Sequence, residues 1–138
     1  MGRGETAQDH VAMKFICPYS EDEIVARARS WVGKPVARAE WRQGVTCIHL
    51  ASFSYGWDDI IPKNWFAWSM DDLAKLSGWT IVGREPKRGD FGIFEIRGKE
   101  HLGIFTSDDT FVHAGSIAFV EAKADRFMRY FKGVLTWQ

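Results

Sequence analysis

Apolar and polar positions along this chain follow two periods, and the change from one to the other falls near Trp79. Before it the spacing is helical. Ser20 with Glu23 three residues later forms a capping box, which predicts a helix over about 21–32 with Ile24, Ala28 and Trp31 on one face. Gly33 and Pro35 end it. An Arg- and Gly-rich loop over 35–45 leads to a second helix, starting at or beside Cys47 and stopping near Gly56, with Leu50, Phe53 and Tyr55 turned inward. Residues 57–68 hold three tryptophans and keep neither period, so they read as a long aromatic loop. Ser69 caps a short third helix over 70–76.

From Trp79 onward the runs are short, rich in Phe, Ile and Val, and separated by turn residues. They predict strands over 79–82, 91–96, 101–105, 110–114, 117–121 and 130–137. Arg97-Gly98-Lys99 and Ser107-Asp108-Asp109 supply the hairpin turns. Helices first and an antiparallel sheet second is an α+β order. The 138 residues suit one domain, read as a loosely held lead-in over 1–19 and a folded body over 20–138.

Composition narrows the function classes. The formal net charge is zero without any block of like charge, so nothing favours nucleic acid or an anionic membrane surface. Residues 1–15 are too polar for a signal peptide or a membrane span, so no membrane insertion is expected. Synthesis is expected in the cytoplasm, and any action outside it would need another delivery route. Seven tryptophans and ten phenylalanines are an unusual aromatic load, and Trp57, Trp65 and Trp68 are candidates either for the core or for the wall of a binding groove.

Cys47 carries the clearest chemical signal. A cysteine in the first turn of a helix feels the positive end of the helix dipole, which stabilises the thiolate. With His101 and His113 downstream, it could complete a nucleophile, a base and an orienting group. A disulfide to Cys17 would silence that sulfur, which favours free thiols. Cys47, His49, His101 and His113 lack the close spacing of a zinc set, so neither metal nor cofactor is expected. His49 lies about 200° around the helix from Cys47 and reads as a packing or helix-surface residue.

Three segments together resemble the NlpC/P60 family of papain-like cell-wall peptidases. They are Ala28 to Pro35, Thr46-Cys47 with its helix, and the run from Pro86 to Ala114. That run holds Pro-x-x-Gly-Asp, His101-Leu102-Gly103-Ile104 and Phe111-Val112-His113-Ala114. The resemblance implies a helix that begins with the nucleophile, packed on an antiparallel sheet that supplies a histidine and a third polar residue. It implies Cys47 as nucleophile, His101 as general base and later acid, and His113 as its orienter. Main-chain N–H groups at the start of the cysteine helix would hold the oxyanion. The implied reaction is hydrolysis of an amide bond in a peptidoglycan stem peptide or related peptide through an acyl-enzyme.

The chain departs from the family where substrate is read. Asp-Cys-Ser-Gly is usual at the nucleophile, and here the run is Thr46-Cys47-Ile48-His49, while Val36 stands where a Tyr is common. Thr46 and Ile48 therefore join the tryptophans as substrate-contact candidates. Two other readings follow from the departure: a binding module that kept the fold without turnover, or an acyltransferase or deamidase acting on protein or lipid. The expected partners are the peptide substrate and an immunity protein or a phage or secretion component. Such a component would deliver the chain to the periplasm or cell wall.

Overall fold

The structure is a computed structural model and describes residues 17–36, 50–56 and 79–136. Cys47, Thr46, Ile48, His49, Val45, the tryptophans at 57, 65 and 68, the expected helix over 70–76 and the lead-in through residue 16 lie outside those residues.

Helix α1 runs Glu21–Arg29, and its start is the one the capping box dictates. Ser20 Oγ accepts from the Glu23 N–H, and Glu23 Oε1 accepts in return from the Ser20 N–H. The helix ends three residues before Val32. There Ser30 turns its hydroxyl onto the Arg27 carbonyl at 2.6 Å, and Trp31 and Val32 close tighter turns onto Ala28 and Arg29. Residues 50–55 are helical and stop at Gly56.

Six strands follow: β1 Thr80–Val82, β2 Phe91–Ile96, β3 Lys99–Phe105, β4 Thr110–Ala114, β5 Phe119–Lys123 and β6 Phe131–Thr136. They form one antiparallel sheet in the order β1-β6-β2-β3-β4-β5. The β2–β3 hairpin turns through Arg97 and Gly98, both at positive φ (55° and 77°), as a two-residue hairpin of right-handed strands requires. β5 begins two residues later than the pattern predicts. Gly115 N–H bonds the Ala118 carbonyl and Val36 N–H bonds Ile117, so a turn anchored from outside the sheet occupies the expected strand start.

The pleat sorts side chains onto two faces. One face carries Phe91, Ile93, Leu102, Ile104 and Val112. It is covered by Ile24 and Ala28 of α1 and by Leu50, Ala51 and Tyr55 of the second helix. Cys17 and Tyr19, which the sequence assigns to the lead-in, pack against this same core. Tyr55 is fully buried, and its hydroxyl donates to the Gly89 carbonyl at 2.8 Å, tying helix 50–55 to the entry of β2. The other face carries Phe94, Phe105 and Phe111, joined by Ala124, Phe127 and Phe131. Its centre is the cross-strand pair Gly92 and Gly103. Both are overlain by rings: a Cβ on Gly92 would come 2.5 Å from Phe105, and one on Gly103 would run into Phe111.

The strand entrance is locked by Asp90. Its carboxylate takes both Arg84 guanidinium nitrogens at 2.8 and 3.2 Å and the Lys87 N–H at 2.7 Å. That gives the Pro-x-x-Gly-Asp lead a structural role: it turns the chain into β2.

Candidate active site

His101 stands near the start of β3, opposite Phe94 of β2, and His113 stands on β4 opposite Gly103. Residues directly opposite share a face, so His101, Gly103 and His113 all point to the second, aromatic side of the sheet. Glycine at 103 makes room for the Phe111 ring, which stacks on His113. His101 Nε2 and His113 Nδ1 meet at 2.9 Å, with ring centroids 5.0 Å apart and planes at 73°. The two do not oppose each other in register, as their strand positions predict, and they meet on the diagonal.

Aromatic rings wall the pair. Phe111 stacks on His113 at 4.4 Å and 10°, and Phe127 lies over His101 at 6.0 Å and 16°. Phe127 also meets His113 edge-on at 5.3 Å, and Phe94 approaches His101 at 6.4 Å. His113 is only 6% exposed. Burial pushes its pKa down to about 4, the nearby His101 pushes the same way, and a hydrogen bond to the Ala114 backbone opposes them. Burial lowers His101 as well. Both rings are therefore neutral at pH 7, which lets one nitrogen donate and the other accept. When His101 Nε2 donates to His113 Nδ1, the lone pair of His101 sits on Nδ1, ready to take a proton.

Of the residues the sequence singles out, the structure brings His101 and His113 together. Cys47, Thr46, Ile48, Trp57, Trp65 and Trp68 lie outside the described residues. The part of the cysteine helix that is described, 50–55, packs on the sheet face opposite the histidines. Cys17 is a free thiol, half-buried, aimed at the Tyr19 carbonyl at 3.7 Å, and burial raises its pKa. It is far from a nucleophile's environment.

Phe127 is the member of the site that the sequence did not mark. It comes from residues 124–130, which have no strand or helix period, and reaches the histidines only through the tertiary fold. Among the described residues no three His, Cys, Asp or Glu side chains gather as a metal set. No helix among them is long and apolar enough to cross a membrane.

The chain is thus a small α+β protein whose antiparallel sheet bears a histidine pair, His113 buried and His101 half-buried. Its fold is similar to the crystal structure of a protein from Staphylococcus aureus subsp. aureus Mu50, described as similar to lipoprotein, NLP/P60 family. The match covers 84% of this chain with a TM-score of 0.55 and 17% sequence identity. The chain spans 40% of the length of that protein. Neither a protein-family model nor a curated protein matches the chain. At that identity the likeness is one of fold.

Proposed function

We propose that this chain is a cysteine hydrolase of the NlpC/P60 type, cleaving an amide bond in peptidoglycan stem peptides or related peptides. The observation that carries the reading is the 2.9 Å bond between His101 Nε2 and His113 Nδ1. It occupies the nitrogen of His101 that an orienting group should hold and leaves Nδ1 for a thiol. In this mechanism Nδ1 takes the Cys47 proton as the sulfur bonds to the substrate carbonyl carbon. The tetrahedral intermediate then breaks its C–N bond, and His101 returns the proton to the departing amine. Water attacks the resulting thioester, again losing a proton to His101, and the carboxylic acid leaves as the thiol reforms. Thr46, Ile48 and the tryptophans at 57, 65 and 68 are the proposed substrate contacts. The proposed place of action is the periplasm or cell wall after delivery by a phage or secretion component, with an immunity protein as partner.

The test is to incubate the protein and its Cys47→Ala variant with peptidoglycan sacculi and weigh the released fragments. Fragments from the unmodified protein alone support the nucleophile, and their masses name the bond. Absence of fragments from both, together with fast alkylation of Cys47 at neutral pH, removes the substrate and keeps the thiol chemistry. A second reading, a binding module without turnover, draws support from helix 50–55 lying on the face opposite the histidines. It requires Cys47 to be slow toward iodoacetamide.

A further inference from the structure

The segment between β5 and β6 is short, but it is firmly anchored. The Ala124 N–H bonds the Asp109 carbonyl at 2.8 Å, Phe127 N–H bonds Ala124 at 2.8 Å, and Tyr130 N–H bonds Phe127 at 2.9 Å. Ala124 is itself 1% exposed. These turns deliver one ring, Phe127, onto four others. It lies parallel to His101, edge-on to His113, and edge-on to Phe111 and Phe94 at 5.4 and 6.3 Å. The rings of His113, Phe111 and Phe127 thus form a triangle, with centroids 4.4, 5.3 and 5.4 Å apart.

We propose that Phe127 is a positioning residue for the histidine pair, its ring covering both imidazoles so that their hydrogen bond stays dry and in one geometry. The proposal rests on His101 being the base of the hydrolysis above. A protonated imidazole here would sit among apolar rings. The charged neighbours in sequence are Glu100 beside His101 and Arg126 and Arg129 around Phe127. Burial lowers the titration of both rings; at His113 the nearby His101 lowers it further and the Ala114 bond acts against it. Phe127 supplies a share of that burial to both imidazoles, since its ring lies against each of them. An apolar cover keeps His101 a neutral base across the acid side of neutrality, where an exposed histidine would already be half protonated.

The test follows the imidazole C–H signals by NMR through a pH titration of the protein and of Phe127→Ala, Phe127→Leu and Phe127→Gln. Opening the cover in F127A should raise the His113 midpoint by about one unit or more, toward the ordinary histidine value. F127L keeps an apolar cover and should stay within about half a unit of the parent. The acid limb of Cys47 alkylation should move with the His101 midpoint. A purely structural Phe127 would lower thermal stability in these variants and leave the midpoints where they were. F127Q admits water at similar length and serves where F127A does not fold. Unmoved midpoints in F127A or F127Q overturn the proposal, as does a full-unit rise in F127L. Midpoints that move as expected, in a protein that releases nothing from sacculi, keep the positioning role and sink the hydrolase reading instead.

Discussion

His113 faces Gly103 across the sheet, and this is why it can bond His101 two residues away. A side chain at 103 would run into the ring of Phe111, which stacks on His113. Gly103→Ala should therefore cost about 1–3 kcal/mol through overpacking and also break the imidazole pair. A thermal melt reads the first effect, and loss of coupled histidine titration reads the second. A variant that melts like the parent would show that Phe111 can move aside freely.

The histidine pair should make stability pH-dependent in a defined window. The folded state holds His113 at about 4 against 6.5 in the unfolded chain, so as pH falls the unfolded state takes up protons first. Stability is then full above pH 6.5 and declines down to about pH 4. For one group this shift amounts to roughly 3 kcal/mol. Urea midpoints measured across that window should fall with acid, and His113→Gln should flatten the slope. An equal slope in H113Q would assign the acid sensitivity elsewhere.

Under the proposed hydrolase mechanism, His101→Ala should lower kcat by about 10²–10⁴-fold, the usual contribution of a positioned acid–base group. His113→Ala should lose less, since it removes the orienter and leaves the base. Fragment release from sacculi, with circular dichroism to verify folding, separates the two. Full activity in H101A would end its role as base.

Tyr55→Phe removes a single buried hydroxyl and leaves the Gly89 carbonyl without that donor. A loss of about 1–3 kcal/mol follows from the unpaired acceptor. Ser20→Ala, which opens the capping box of α1, should cost about 1 kcal/mol. Denaturant titrations decide both, and a smaller effect for Y55F than for S20A would show that water replaces the lost hydroxyl.

The local signals in the chain were strong where the contact that enforces them is local. β2 and β4 span the residues that the apolar runs mark, because Gly89-Asp90, Arg97-Gly98 and Ser107 to Asp109 bound them with turn chemistry. The start of α1 was written in Ser20 and Glu23, but its end was not, because the Ser30 hydroxyl competes for a carbonyl that helix propensity ignores. β5 slipped by two residues because its start is fixed from residues 33–36, some eighty positions earlier. The histidine pair could be anticipated from the order of its motifs and its strand positions. Phe127 could not, since an isolated Phe after Asp125-Arg126 carries no period, and its partners are defined only once the sheet exists.

The strand order bears on how this sheet can form at all. β6 lies between β1 and β2, although it follows both of them, and β3, β4 and β5, in the chain. On a ribosome, β2 to β5 can pair in sequence as they emerge, each with the strand just made. β1 cannot, and the outer edge of β2, with Phe91, Ile93 and Phe94, stays uncovered until residues 131–136 arrive. During synthesis this molecule must therefore pass through a period in which a sticky, half-built edge is exposed, closed only when β6 arrives.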